Sequence, residues 1–163
     1  MPMGPAARIG DMTAHGTPLA PGPPSTTVII GGQPAWLGLT AAGAAAISAV
    51  IAAGAKDVAE KTAKAAAAAS LGPAAAAAAQ ADLAKATKDA AANTASAMSG
   101  SGASIHACPL LTVLVPHGVG VVMAPSTTVI INMMGACRMS DTIVEVTAVN
   151  MIAQGFPTVI IGG

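Results

Sequence analysis

A seven-residue phrase occurs twice in this chain, and that repetition limits the fold more than any other feature. Pro24 to Ile30 reads PSTTVII, Pro125 to Ile131 reads PSTTVII again, and Pro157 to Ile161 gives the shortened PTVII. Each copy is β-branched and bounded by Pro and Gly, the pattern of a short strand rather than a helix. The first and third copies run into Gly31-Gly32 and Gly162-Gly163, and the second continues Asn132-Met133-Met134-Gly135. Copies two and three are 30 residues apart, copies one and two 101. Removing the 66 residues from Leu37 to Gly102 brings the larger spacing to about 35, within the range of a supersecondary repeat. The sequence therefore predicts a mainly β, short-strand, three-repeat domain, residues 1–36 and 103–163, interrupted by an insertion at 37–102.

The insertion differs in composition from its flanks. Nine of the fourteen charged residues lie between Lys56 and Asp89, and eleven of the twelve prolines lie outside 37–102. Runs of Ala at 65–69 and 74–79 predict helix, because Ala is the strongest helix former. Leu71-Gly72-Pro73 supplies a stop and a restart, Gly suiting a helix C-terminus and Pro the first turn of the next. An Ala-rich α-helical hairpin is expected. Gly38 to Ala55 is uncharged, but only Leu39, Ile47, Val50 and Ile51 in it are large and apolar. That favours a hairpin packed through small residues over a membrane span.

Charge and side-chain supply exclude several functions. Lys and Arg number 7 against 7 Asp and Glu, without the basic excess that binds phosphate backbones, so nucleic acid is not an expected partner. Two cysteines do not make a disulfide scaffold, and the start MPMGPAARIGD lacks the apolar segment of a Sec signal. Synthesis in a reducing bacterial cytoplasm is expected, with export by another route. Within the repeat domain the only acids are Asp11, Asp141 and Glu145, in no catalytic motif. They read as solvated or turn-capping carboxylates, and no enzyme activity is expected. All three histidines and both cysteines, His15, His106, Cys108, His117 and Cys137, fall in the β segments. Imidazole and thiolate are the ligands of structural zinc, and a small domain with few large apolar residues benefits from such a staple.

Pro5-Ala6-Ala7-Arg8, Gly10-Asp11 and His15-Gly16 resemble the signature of the PAAR-repeat family. Cys108-Pro109, Pro116-His117-Gly118 and Ala136-Cys137 followed by Asp141-Thr142-Ile143-Val144 resemble its later elements. The likeness covers residues 1–36 and about 103–163, not the insertion. It implies a PAAR cone: a β-structured, structural spike-tip protein that caps and sharpens the trimeric VgrG-type spike of a type VI secretion or related contractile injection system. It also implies a structural Zn2+ near the point held by three His and one Cys. Carried onto this chain, the ligands are His15, His106, His117 and Cys137, with Cys108 as the competing fourth ligand. The insertion, residues 37–102, lies outside the likeness and is open to three uses, a docking hairpin for effector cargo or a chaperone, a membrane-active element, or a spacer folded along the cone; membrane contact is expected only during injection. Two other readings stay open: a small zinc-dependent hydrolase with one water-bearing position, and a membrane-associated helical hairpin protein.

Overall fold

β-branched residues next to prolines and glycines do form strands, though most are only two to four residues long. The computed structural model describes residues 3–19, 27–112 and 115–162; the start of the first PSTTVII copy lies outside them. In chain order the elements are β1 (Gly4–Ala6), β2 (Ile29–Ile30), β3 (Gln33–Pro34), α1 (Ala41–Ala68), α2 (Pro73–Ser99), β4 (His106–Thr112), β5 (Val115–Val122), β6 (Ile130–Ile131), β7 (Met134–Gly135), β8 (Thr142–Glu145), β9 (Val149–Met151) and β10 (Phe156–Ile161). Every strand pairing is antiparallel: β1 with β10, β2 with β3, β6 with β7, and a sheet in the order β4-β5-β8-β9. Two helices of 28 and 27 residues outweigh these short strands. The chain holds 39% helix and 31% strand, so the expectation of a mainly β protein is corrected to a mixed one with a curled sheet and two helices.

Two compact units divide the chain, Met1–Ala45 with Met98–Gly163, and Ala46–Ala97. In the helical unit, the last turn of α1 tightens into a 3-10 turn at Ala69–Leu71, and Gly72 takes φ 111 before Pro73 opens α2. A β-carbon on Gly54 would stand 2.9 Å from that of Ala90, so the small-residue packing expected from the sequence is how these helices meet. Ala41–Leu71 is long and apolar enough to cross a membrane, with mean hydropathy 1.4 over its most apolar window, 6% of which is buried.

The β unit is built from three equivalent parts. Its centre is a closed ring of backbone hydrogen bonds: Ala7 N–H donates to the Cys137 carbonyl (2.9 Å), Cys137 N–H to Trp36 (3.0 Å), and Trp36 N–H to Ala7 (2.9 Å). Bridges outside the ring follow the same rotation, pairing Ala6 with Arg138, Ala35 with Arg8, and Ala136 with Leu37. On one side, Ala6, Ala35 and Ala136 pack with Ile30, Ile131 and Ile161, the buried ends of the three repeated phrases. On the other, Ala7, Trp36 and Cys137 pack with Leu19, Val122, Ile143 and Ile152. Burial of these aliphatic groups at about 25 cal/mol per Å2 is the main force holding the layers together.

Beyond the ring each part makes a tight turn. Arg8 N–H donates to Asp11 Oδ2 (2.8 Å) and Asp11 N–H to the Arg8 carbonyl (3.2 Å). Arg138 and Asp141 repeat both bonds at 3.0 and 3.1 Å. In the third part Leu37 and Ser104 make the same pair, Leu37 N–H to Ser104 Oγ and Ser104 N–H to the Leu37 carbonyl, both 3.0 Å. The helical hairpin is therefore an insertion into the third copy of this turn, whose closing bonds it leaves in place.

The repeated phrases also share their hairpins. β2–β3 turns through Gly31 and Gly32 at φ 55 and 84, β6–β7 through Asn132 and Met133 at φ 50 and 66. Positive φ at both central residues defines the tight turn that matches strand twist, and Met133 holds it without help from Gly while 86% exposed. Met133→Gly relieves left-handed strain that costs an L residue about 1–2 kcal/mol, partly offset by a more flexible unfolded chain. A net gain of about 0.5–1 kcal/mol is expected, read as a higher urea midpoint at unchanged slope.

Candidate metal centre

Counting from the tight turns places three chemically different side chains in one position. Four residues after Asp11, Ser104 and Asp141 come His15, Cys108 and Glu145. The hairpins they sit on start with equivalent pairs: Leu19 N–H donates to the Asp11 carbonyl (2.8 Å) and Ile152 N–H to the Asp141 carbonyl (3.0 Å). The third hairpin is the β4–β5 ladder, with His106 opposite Gly120 and Cys108 opposite Gly118. Three chain segments thus deliver one ligand atom each to a common point.

His117 joins them through an irregularity. Strict alternation along β5 would turn it to the opposite face from Gly118 and Gly120, which stand across from Cys108 and His106. The register slips between Cys108 and Leu111, and Gly118 takes φ 80. A bulge of this kind re-aims a side chain. A non-glycine residue at Gly118 would be strained by that φ and would press a β-carbon to 3.3 Å from Val146 Cβ.

One ligand atom from each of His15, Cys108, His117 and Glu145 lies within 4.8 Å of the others. His15 Nδ1 and His117 Nδ1 are 3.3 Å apart, and each is 3.5 Å from Cys108 Sγ. Glu145 Oε2 is 3.0 Å from His117 Nδ1 and 3.5 Å from His15 Nδ1. A tetrahedral cation with bonds of about 2.0–2.1 Å to N or O and about 2.3 Å to S has edges of about 3.3 Å between N or O atoms and about 3.6 Å from N to S. The five edges given fall around those values, the sixth, from Cys108 to Glu145, lies within 4.8 Å, and the cluster could hold a metal ion.

Glu145 strengthens the case. Its side chain is fully buried, where an unpaired carboxylate is costly. Oε1 accepts a hydrogen bond from Asn150 Nδ2 (2.9 Å), but Oε2 receives none of good geometry. Close approach without a directed N–H is what metal-facing lone pairs would produce. Burial pushes the Cys108 thiol above its ordinary pKa, so without a cation the sulfur is held as a thiol. A bound cation reverses that preference.

The sequence-derived ligands divide. His15 and His117 are in the cluster, together with Cys108, the competing sulfur. His106 is one layer deeper and fully buried, with Nε2 3.2 Å from Thr17 Oγ1 and 3.7 Å from Glu145 Oε1. Burial lowers its pKa against the pull of the Glu145 carboxylate, and it borders the centre instead of entering it. Cys137 belongs to the apolar layer beside Ala7 and Trp36. Burial raises its thiol well above the ordinary range, and its place in the ring keeps it from the hairpin ends where the cluster forms. Both cysteines are free thiols. Among the acids, Asp11 and Asp141 do close turns, paired to Arg8 and Arg138 at 2.9 Å. Glu145 departs from the solvated reading, since it lies at the heart of the cluster. The four-residue offset from Asp141 that it shares with His15 and Asp11 was the available signal.

No protein-family model, curated protein or solved structure matches this chain.

Proposed function

We propose that this chain is a structural spike-tip protein of the PAAR type, seated on the trimeric VgrG-type spike of a type VI secretion or related contractile injection system. One observation carries the reading: the hydrogen-bonded ring of Ala7, Trp36 and Cys137, which gives a single chain three equivalent parts. Such a chain can meet three identical partner chains with three similar surfaces. The outward neighbours of the buried isoleucines fit that use, since Ile29, Ile130 and Ile160 are 58%, 56% and 56% exposed. A triplet of equivalent apolar side chains is what a threefold partner can cover at once.

Zn2+ is the proposed ion. A tetrahedral set of two imidazoles, one thiolate and one carboxylate suits zinc and disfavours Mg2+, Ca2+ or Mn2+, which prefer oxygen shells. Four protein donors complete the coordination and leave no place for an activated water, which supports a structural role over a zinc hydrolase. His15, Cys108, His117 and Glu145 then fasten three hairpins to one point. The chain would be made in the cytoplasm and leave with the spike, and its helical unit would carry effector or chaperone contacts. A membrane-associated role for that unit is the second reading, favoured by the apolar stretch Ala41–Leu71 and tested by flotation with lipid vesicles.

The test of the spike role is binding of the full chain to the trimeric spike protein of its own source, with mass measured by light scattering. One chain per trimer is expected, lost when Ile29, Ile130 and Ile160 are all changed to Asp. No complex, or three chains per trimer, would overturn the reading.

A further inference from the structure

We infer that Asn150 is the positioning residue of the metal centre, selecting which oxygen of Glu145 meets the ion and tying that ligand to the hairpin that bears His15. The inference rests on the metal reading above. Asn150 lies on β9 opposite Ile143 and is 4% exposed. Side chains of Ile143 and Glu145 share a strand face, so Asn150 is the diagonal neighbour of Glu145 across the pair.

The orientation of the Asn150 amide follows from its partners. Its Oδ1 accepts from the backbone N–H of Met151 (2.8 Å) and of His15 (3.3 Å). Two donors at one atom require that atom to be the oxygen. Nδ2 must then face Glu145, donating to Oε1 at 2.9 Å. Oε1 is occupied, and Oε2 is the oxygen that approaches His15 Nδ1 and His117 Nδ1, buried and without a hydrogen bond of its own. A single buried side chain thereby fixes a one-oxygen carboxylate ligand and couples it to the backbone beside a second ligand. Partners of this kind hold ligands in the geometry the ion needs, and their loss costs about 10–100-fold in metal affinity.

The experiment uses the full chain loaded with Co2+, whose visible bands report tetrahedral geometry and sulfur ligation, with affinity read by chelator competition. Asn150→Ala removes the donor to Glu145 together with the acceptor for His15 and Met151, and Asn150→Ser is too short to reach Glu145. Both are expected to weaken Co2+ binding by about 10–100-fold and to shift the ligand-field bands of the saturated protein. Combined with Glu145→Gln, either change should add little to the loss from Glu145→Gln alone, because Asn150 acts through that ligand. Affinity within about twofold of the original chain, unshifted bands at saturation, or full additivity with Glu145→Gln would overturn the assignment. An original chain that binds neither Co2+ nor Zn2+ would overturn the metal reading itself, a result distinct from each of these.

Discussion

Changing His15, Cys108 or His117 to Ala is expected to strip the metal and lower the unfolding temperature together, Glu145→Gln to weaken metal binding with a smaller drop in unfolding temperature, whereas Cys137→Ala keeps the metal. Structural zinc contributes apparent binding free energies of about 10–16 kcal/mol at neutral pH in small domains. The β unit has few large buried side chains to compensate, chiefly Trp36, Leu19, Met98, Ile143 and Ile152. If the loss of one ligand leaves a shortfall of about 3 kcal/mol, unfolding should fall by roughly 12–24 °C at about 4–8 °C per kcal/mol. Cys137→Ala removes only a sulfur, from a position whose equivalent in another part is already Ala7; a cost of about 1 kcal/mol is expected. Metal content, metal affinity and thermal melts check these. Unweakened metal binding in Glu145→Gln, or loss of metal in Cys137→Ala, would contradict the site.

The second large effect belongs to Trp36. The ring positions hold Ala7, Cys137 and Trp36, and only Trp36 has bulk, with 1% of it exposed. One indole therefore fills the space that three small side chains would leave open among Leu19, Val122, Ile143 and Ile152. Trp36→Ala should cost about 3–5 kcal/mol through lost burial and a residual cavity. Set against a total stability of about 5–15 kcal/mol, that loss removes much of the margin. Urea unfolding followed by circular dichroism measures it without the missing fluorophore. A cost below about 1 kcal/mol would mean that the layer closes over the gap.

Much of the architecture was legible because the phrases are literal copies. PSTTVII, PSTTVII and PTVII mark the three strands that end in Ile30, Ile131 and Ile161, and the Ala runs mark the helical hairpin. Short strands were legible too, and β6 keeps only Ile130–Ile131 of its phrase; the weight of the insertion was not, since its helices of 28 and 27 residues outweigh all the strands. Arg8-x-x-Asp11 and Arg138-x-x-Asp141 were visible in the letters, but their third counterpart was hidden, because Leu37 and Ser104 are separated by the whole insertion. Without that match, the common position of His15, Cys108 and Glu145 has no periodicity. Hairpins of different length set them at irregular spacings, and three residue types share no pattern. Cys137 entered the ligand set through the family resemblance, yet its backbone belongs to the ring. His117 reached the cluster through a bulge, which strand alternation does not foresee.

A ladder of hydrogen bonds has terminal rungs, and melting starts there because an end bond opens without disturbing more than one neighbour. The ring of Ala7, Trp36 and Cys137 has no end. Each of its residues is donor to one part and acceptor from another, so no part can peel away alone without breaking two bonds at once. Fraying is thereby replaced by a collective threshold: the three parts resist a pull on any one of them together, and when they yield they yield as a unit.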